Sequence, residues 1–298
     1  MNCNRCPRAC NANRTDHENL NGYCQMPLLP RVARASLHAW EEPCISGTRG
    51  SGTIFFSGCS LSCVYCQNSE ISHKNQGFDL TVNELVNLIR RLENEGAHNI
   101  NLVNPTHFPD AIYKALTLYK PKIPVVWNSS GYDCVETLQM FEGLVDVYLM
   151  DLKYLSVERA TRYSNAPNYP TIAKKALLES YRQKPLLRYD REGILQSGVI
   201  VRHLVLPQGT REATLCFDWV CENLPDAIFS IMGQYVPHHK VKDFPEINRR
   251  ITKREYEKVL SYICSADFKN VFYQDQSSAT TDFIPDFTKE ANKNLQTK

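Results

Sequence analysis

The residues best suited to chemistry begin with three cysteines in one short loop. Cys59, Cys63 and Cys66 are spaced CxxxCxxC, and no fourth cysteine is near enough in the sequence to complete the set locally. Three thiolates can hold three corners of a [4Fe–4S] cube, which leaves one iron open to a small molecule. Electron-transfer clusters normally have four cysteine ligands, whereas structural zinc sites use four closed ligands. The spacing therefore indicates a catalytic iron–sulfur cluster.

A second group of cysteines, Cys3, Cys6, Cys10 and Cys24, lies near the N-terminus. The N-terminus has no apolar signal region, so we expect a cytoplasmic protein, in which disulfides are disfavoured. Four ligands in a short span could order this otherwise coreless segment around a second iron–sulfur cluster or a zinc ion. The spacing predicts a metal site and does not separate the two metals.

The other cysteines and two nearby arginines have simpler interpretations. Arg8 and Arg14 could form a docking surface, but we predict that they are solvated charges. Five further cysteines are predicted to be small buried hydrophobic side chains: Cys44, Cys134, Cys216, Cys221 and Cys264.

Composition limits the classes of function. The chain has 298 residues, a hydrophobic content of 43% and a net charge of +2. This length suits one sizeable core with a small appendage. The charge gives no basic footprint for nucleic acid, and no apolar run reaches the ~18 residues of a membrane span. We therefore expect neither a nucleic acid nor a membrane as partner.

Short apolar runs alternate with helical patterns beyond residue 51, which indicates parallel strands joined by helical crossovers. Thr81 and Glu84 form a capping box at the start of one predicted helix. The predicted strands are 53–56, 100–103, 124–127, 145–150, 199–206, 227–232 and 271–273. The predicted helices are 81–95, 109–118, 134–141, 157–163, 172–182, 211–222 and 252–264.

Polar segments follow the ends of these strands, where α/β folds build active sites. They are the cysteine loop and residues 104–107, 128–131, 151–153 and 233–235. A doubly wound sheet also fits the alternation, but a ring of polar strand ends favours a barrel. We predict an α/β fold, a partial (β/α)6 TIM-like barrel at 51–275, with a cysteine-rich N-terminal extension at 1–50 and a polar C-terminal tail at 276–298.

The cysteine loop, with Tyr65 before its last cysteine, resembles the radical SAM signature. Residues 151–153, Asp-Leu-Lys, and the segment 202–207 are similar to those of pyruvate formate-lyase-activating enzymes. The N-terminal CxxCPRxC and the Asn-Pro-Thr-His-Phe segment at 104–108 resemble the PflX-type branch of that group. The resemblance extends over residues 3–234.

The resemblance implies an activity and its partners. S-adenosylmethionine binds the open iron of the [4Fe–4S] cluster and is cleaved to a 5′-deoxyadenosyl radical, which takes hydrogen from a protein or peptide substrate. The substrate could be a glycyl radical enzyme. A reducing partner such as flavodoxin or ferredoxin supplies the electron, and a monomer is expected.

The resemblance also suggests roles for individual residues. Tyr65 is expected to pack beside the cluster. Asn104 or Thr106, or backbone carbonyls near them, could meet the amino group of S-adenosylmethionine. His107 is interpreted either as a ligand or acid, or as a structural histidine.

The resemblance also suggests a site for a monovalent cation and side chains that bind the cofactor carboxylate. Asn128 and Ser129 stand where activating enzymes have an Asp-Thr pair near a monovalent cation, with Asp151 as a further ligand. Lys153 and Arg202 could meet the cofactor carboxylate. A structural ion pair between Asp151 and Lys153, and pairing of Arg202 with a neighbouring acid, remain the alternatives.

Two other functions remain open from the sequence. One is radical modification of a small molecule or peptide. The other is a non-catalytic iron–sulfur or zinc protein that serves as an electron carrier or assembly scaffold.

Overall fold

The structure is a computed structural model that describes residues 2–274 and 287. The predicted tail at 276–298 lies outside the described residues, apart from Phe287, whose ring packs 5.5 Å from that of Phe55.

The strands and helices alternate along most of the chain. The strands are β1 (Asn2–Cys3), β2 (Ala12–Arg14), β3 (Asn19–Leu20), β4 (Arg31–His38), β5 (Ser51–Phe56), β6 (Phe78–Asp79), β7 (Ile100–Val103), β8 (Val125–Ser129), β9 (Val147–Asp151), β10 (Arg188–Tyr189), β11 (Leu195–Leu204), β12 (Ile228–Met232) and β13 (Val271–Tyr273). The helices are α1 (Pro43–Ser46), α2 (Ser69–His73), α3 (Val82–Asn94), α4 (Pro109–Leu118), α5 (Val135–Met140), α6 (Val157–Ser164), α7 (Tyr169–Gln183), α8 (Thr210–Asn223) and α9 (Lys253–Ser265).

One large sheet has the order β13-β12-β11-β9-β8-β7-β5-β4-β6, with β10 paired to β11. The strands from β5 to β13 along this order are parallel, and β4 joins β5 in antiparallel fashion. Helices connect most of the parallel strands, so the α/β partial-barrel prediction is confirmed. The carboxyl ends of the parallel strands meet at one edge, where the predicted polar segments come together.

The capping box predicted at the start of α3 is present. The Glu84 N–H donates to the Thr81 hydroxyl, and the Thr81 N–H donates to the Glu84 carboxylate. The buried face of this helix is formed by Leu85, Leu88 and Leu92, spaced to lie on one side.

Strand β4 and the helix after it were not predicted from the sequence. Arg31 and Arg34 give β4 a polar appearance, but β4 lies in the main sheet, and Arg31 pairs with Asp79 at 2.6 Å. The pairing partners of β4 lie far from it in the sequence, so no local sequence pattern indicates this strand. Strand β4 lies within the predicted N-terminal extension and ties it to the barrel.

The two faces of the sheet pack differently. Trp127 on β8 packs among the helices, whereas its neighbour Val126 packs with Ile45 of α1, Leu149 and Ile200. Successive strand residues point to opposite faces, so α1 covers the inner face of the partial barrel. This placement puts the preceding residues, including Glu41, inside the barrel.

Among the described helices, none combines the length and apolar composition that a membrane span requires.

Candidate active site

The cysteine loop leaves β5 at the carboxyl end of the parallel sheet and runs to α2. Gly58 precedes it with φ of +78°, and a Cβ there would lie 2.3 Å from Cγ of Met26. Only glycine fits both the backbone angle and this close approach. The loop then turns tightly, because the Cys66 N–H donates to the Cys63 carbonyl at 3.2 Å.

Each of the three sulfurs in this loop has a hydrogen-bonding neighbour. The Leu61 N–H donates to Cys59 Sγ at 3.3 Å, and the Asn68 N–H donates to Cys66 Sγ. Cys63 Sγ lies 3.0 Å from the Ser164 hydroxyl. Hydrogen bonds to sulfur stabilise thiolates and tune the clusters that they bind.

Burial acts against the thiolate form at these cysteines. It raises the pKa of Cys59 to about 12 and that of Cys66 to about 11. Metal binding requires deprotonated thiols, so a bound centre must supply the positive charge that keeps them as thiolates.

Helix α6 supports the loop from one side. The Val64 N–H donates to the Tyr163 carbonyl at 2.9 Å. The Ser164 hydroxyl also lies 3.0 Å from the Tyr154 hydroxyl, which is 2.5 Å from the Tyr65 hydroxyl. A chain of hydroxyls therefore links Cys63 to Tyr65, and both tyrosines are buried. Tyr154 and Ser164 were not identified from the sequence.

A cavity of about 260 Å³ opens beside the cysteine loop. Its lining combines thiols, charged groups and amides from several strand ends: Cys63, Tyr65, Cys66, Gln67, Asn68, Asp151, Lys153, Arg202, Leu204, Met232 and Gln234. The structure thus brings three of the predicted cofactor residues, Asp151, Lys153 and Arg202 from two other strand ends, to the predicted cluster loop, which itself contains Tyr65.

Opposite the loop, Asp151 holds two cations. Lys153 Nζ lies 2.6 Å from Oδ2 of Asp151, and Arg202 Nε lies 3.0 Å from Oδ1. Arg202 also contacts Oε2 of Glu41 at 3.2 Å and donates to Oδ1 of Asn128 at 2.7 Å. The guanidinium therefore joins three strands to the segment before α1.

Charges control the pKa values in this network. Burial alone would raise the pKa of Asp151, but Lys153 and Arg202 hold it below its ordinary value. Burial would lower the pKa of Lys153, but Asp151 raises it above its usual value. At Glu41, burial outweighs the Arg202 charge, so its pKa is raised. At neutral pH the cavity wall thus has two cations fixed on an ionised Asp151.

Known proteins that are similar to this chain identify its family. The family model of the radical SAM superfamily matches residues 53–183, which include the cysteine loop and Asp151. The uncharacterized protein MJ0674 of Methanocaldococcus jannaschii is 36% identical over 271 residues, which is 87% of this chain and 73% of the relative.

The chain belongs to the radical SAM superfamily.

Solved structures agree on the fold. Streptococcus suis SuiB bound to the precursor peptide SuiA has a TM-score of 0.52 and 14% identity, covering 73% of this chain and 47% of SuiB. SuiB bound to S-adenosylmethionine has a TM-score of 0.52 and 13% identity, covering 73% and 48%. This chain therefore spans about half the length of SuiB, and at such low identity the likeness concerns the fold alone.

Membership of the radical SAM superfamily implies a [4Fe–4S] cluster and S-adenosylmethionine. The residues present fit this pair. Cys59, Cys63 and Cys66 would supply three soft ligands with hydrogen bonds to sulfur. Asp151, Lys153 and Arg202 form a charged wall that faces them across the cavity. Within the described residues, no three Cys, His, Asp or Glu side chains converge as a single metal ion requires.

The predicted residues after β7 and β8 mostly point away from the cavity of this radical SAM domain. Asn104, at φ of +59°, lies 3.8 Å from Cys59 Sγ and donates to the Gly58 carbonyl, so it supports the loop. Thr106 and Ser129 both donate to the buried Asp133, at 2.8 and 2.5 Å. Asp133 was not identified from the sequence, because its partners come from separate strand ends.

The expected cation site has its oxygens already engaged. Asn128 accepts from Arg202, Ser129 donates to Asp133, and both oxygens of Asp151 contact cations. A monovalent cation here stays a prediction.

His107 lies inside the protein beneath the loop. Its Nε2 is 2.6 Å from the Ser57 carbonyl, and burial lowers its pKa to about 3. The ring is therefore neutral at physiological pH, and the structural interpretation of His107 is the better one.

Two simpler predictions from the sequence are wrong. Arg8 and Arg14 are not solvated charges. Arg14 is buried and donates to the carbonyls of Pro27 and His107, and the Arg8 guanidinium donates to the carbonyls of Ser60 and Asn165. Cys264 is exposed, because it lies on the outer face of α9. Cys44 and Cys216 are buried as expected.

Tyr169 fixes the turn that carries Asp151 and Lys153. Its hydroxyl lies 2.8 and 2.9 Å from the carbonyls of Ser130 and Asp151, and the Lys153 N–H donates to it at 2.9 Å. Gly131 makes room for this turn, since a Cβ there would lie 2.2 Å from the Asp151 carbonyl.

We expect Tyr169→Phe to lower the free energy of unfolding by about 2 kcal/mol, because it leaves buried backbone groups without their partner. Tyr262→Phe is the matched control, since its exposed hydroxyl contacts only Asp218 in the described residues. That control should change stability by less than about 0.5 kcal/mol. Urea unfolding measures both, and equal effects would contradict the role given to Tyr169.

Proposed function

We propose that this protein cleaves S-adenosylmethionine and directs the resulting radical to a protein or peptide substrate. When bound and reduced, the [4Fe–4S] cluster supplies the electron that breaks a C–S bond of S-adenosylmethionine, giving methionine and a 5′-deoxyadenosyl radical. The observation that carries the proposal is the cavity between the three-cysteine loop and the cations on Asp151. It has thiols on one side and a fixed positive wall on the other.

The chain's own residues would bind and orient the cofactor. The ammonium of Lys153 has three donors, and the one hydrogen bond that the described residues give it goes to Asp151. Lys153 is therefore the better candidate for the cofactor carboxylate. Arg202 is engaged by Asp151, Glu41 and Asn128, so its main work is to hold Asp151 in place.

Aromatic side chains would keep water from the reacting atoms. Tyr65 lines the cavity, is buried, and has its ring 5.9 Å from that of Tyr235. Its hydroxyl is held by Tyr154, so the ring has a fixed orientation. A dry and rigid wall limits side reactions of a radical.

The cavity volume supports a substrate that approaches from outside. About 260 Å³ lies just below the usual range of about 300–1,000 Å³ for pockets that hold one small ligand. S-adenosylmethionine would fill this space, so the substrate hydrogen must come to the open side of the cavity. A peptide segment can present a residue in this way, and the similar fold of SuiB has been solved with a precursor peptide.

The remaining parts of the proposal rest on the resemblance to pyruvate formate-lyase-activating enzymes. They are a substrate that becomes a glycyl radical enzyme, a flavodoxin or ferredoxin as electron donor, and action as a cytoplasmic monomer. The twelve cysteines all lie in the described residues and no disulfide joins any of them, which suits a reducing compartment.

The direct test is anaerobic reconstitution followed by reduction with dithionite in the presence of S-adenosylmethionine. We expect 5′-deoxyadenosine and methionine in equal amounts. A fully loaded cluster that yields neither product would refute the enzyme proposal and favour a carrier or scaffold.

The substrate class has its own test. Dialysis separates cell extract of the source organism into a fraction of retained macromolecules and a fraction of small molecules. Each fraction is added to the cleavage assay. We expect macromolecules to stimulate 5′-deoxyadenosine formation and protease treatment to remove the stimulation. Stimulation by the small-molecule fraction alone would contradict a protein or peptide substrate.

A further inference from the structure

The N-terminal cysteines form a second group of thiols on the outer side of the catalytic loop. The thiol of Cys6 lies within electrostatic reach of Cys24, Cys3 and Cys134, and that of Cys24 within reach of Cys3 and Cys10. The chain folds back between them, because the Ala9 N–H donates to the Cys6 carbonyl and the Asn11 N–H to that of Cys3. The four N-terminal thiols are therefore neighbours.

The backbone around these thiols repeats a feature of the catalytic loop. In that loop, Cys59 and Cys66 each accept a hydrogen bond from the backbone N–H two residues later. The chain turns after each cysteine so that this N–H points at the sulfur.

The same arrangement occurs twice near the N-terminus. The Arg8 N–H donates to Cys6 Sγ, and the Met26 N–H donates to Cys24 Sγ. By contrast, the buried Cys216 accepts from Leu155, which is remote in sequence. Cys6 and Cys24 therefore have the backbone setting of the proposed cluster ligands and differ from a packing cysteine.

A buried cation lies beside this group. Arg14 is 3% exposed, and its Nη1 lies 3.4 Å from Cys3 Sγ. Its other hydrogen bonds in the described residues go to two carbonyls, and its Nε has no partner there. A buried guanidinium needs a compensating anion. A four-thiolate metal centre carries net negative charge and would supply it.

The N-terminal group also contacts the catalytic loop directly. The Arg8 guanidinium donates to the Ser60 carbonyl at 2.6 Å and stacks over the ring of Tyr23 at 3.8 Å. The Tyr23 hydroxyl lies 2.5 Å from that of Ser62. Arg8 therefore contacts Cys6 with its backbone and the loop between the catalytic cysteines with its side chain.

We propose that Cys3, Cys6, Cys10 and Cys24 bind an iron–sulfur cluster that holds the outer side of the catalytic loop. No three of these side chains converge on one point as a single metal ion requires, whereas a cluster spreads its ligands over several iron atoms. The proposal does not depend on the reaction proposed above. Zinc also binds thiolates, so stoichiometric zinc is the outcome of the metal analysis that would contradict a cluster.

The first test uses a variant without the catalytic ligands, Cys59→Ala/Cys63→Ala/Cys66→Ala. We expect it to retain about four iron atoms per chain, and about one zinc per chain in their place would contradict the cluster. Adding Cys6→Ala and Cys24→Ala should remove this metal, whereas adding Cys216→Ala should not. Elemental analysis gives the metal, and Mössbauer spectra distinguish a cluster from adventitious iron. A triple variant without stoichiometric metal, or one whose metal survives Cys6→Ala/Cys24→Ala, would overturn the proposal.

The second test uses the unaltered chain and does not depend on the folding of any variant. Cys3, Cys10 and Cys221 are similarly half-buried, so burial alone predicts similar alkylation rates. We expect Cys3 and Cys10 to be protected from iodoacetamide until a chelator with an oxidant removes the metal, and Cys221 to react throughout. Alkylation of all three at one rate before metal removal would show that Cys3 and Cys10 bind nothing.

Discussion

Cys63→Ala should abolish 5′-deoxyadenosine formation and lower the iron content by about four atoms per chain, which is one cluster. Cys63 is the middle one of the three proposed ligands, and its Sγ lies 3.0 Å from the Ser164 hydroxyl, which connects it to the hydroxyl chain. With two thiolates left, the loop cannot hold three corners of the cube. Iron analysis and product chromatography after anaerobic reconstitution measure the two effects.

Cys216→Ala is the matched control. Cys216 is also a fully buried thiol, but it lies on α8 and does not line the cavity. It should lose some packing energy and keep both the cluster and the cleavage activity. If Cys63→Ala kept its cleavage activity, Cys63 would not be a ligand; if Cys216→Ala lost the cluster, general destabilisation would explain both results.

Much of the barrel could be predicted because its signals are local. Helix α4 begins at Pro109 and ends at Leu118 as predicted, and the capping box of α3 is formed by residues three apart. Buried parallel strands such as β7 appear as short apolar runs between helical patterns. These features need no knowledge of distant contacts.

The parts that could not be predicted depend on contacts between remote residues. Glu41 enters the site only because α1 packs on the inner face of the sheet, which places its carboxylate 3.2 Å from Arg202. Asp133 becomes a hub because Thr106 and Ser129 turn towards it. The sequence predicted the polar strand ends, but not which of their side chains face the cavity.

The ion pairs in the charged wall of the cavity show the same limit of prediction from sequence. From the sequence, a structural ion pair and a cofactor contact were both reasonable for Asp151, Lys153 and Arg202. The structure shows the ion pairs, and it also places these residues in the lining of the cavity. The two interpretations are therefore compatible, since a buried carboxylate can hold cations that face a ligand.

Arg202→Met should lower the free energy of unfolding by about 3–5 kcal/mol at neutral pH, the usual cost of removing one partner from a buried ion pair. Arg202 contacts both Asp151 and Glu41, and its side chain is only 17% exposed. Methionine keeps much of the volume but leaves Asp151, Glu41 and the buried Glu42 with Lys153 as their nearby cation. We also expect weaker binding of S-adenosylmethionine, because Asp151 and Lys153 lose their fixed positions.

Arg182→Met is the matched control. Arg182 also pairs with two carboxylates, those of Glu142 and Glu179, but its side chain is 51% exposed. Solvent screens such pairs, so the change should cost no more than about 1 kcal/mol. Similar losses of unfolding free energy in the two variants would mean that burial does not make the ion pairs of Arg202 more stabilising than exposed ones.

The pH dependence gives a sharper test of the cause. In the unaltered protein the depressed pKa of Asp151 contributes stability above its unfolded pKa of about 3.9, and this is lost as pH falls through the lower folded pKa. Without Arg202 the folded pKa values of Asp151 and Glu41 should rise, so protonation relieves the variant as pH falls. The stability difference between the two proteins should therefore shrink between pH 7 and about pH 4.

Adding Glu41→Gln to Arg202→Met should recover part of the loss at pH 7, since it removes one uncompensated charge. A difference that is constant with pH, with no recovery in the double variant, would show that Arg202 stabilises the site by packing and not by its charge.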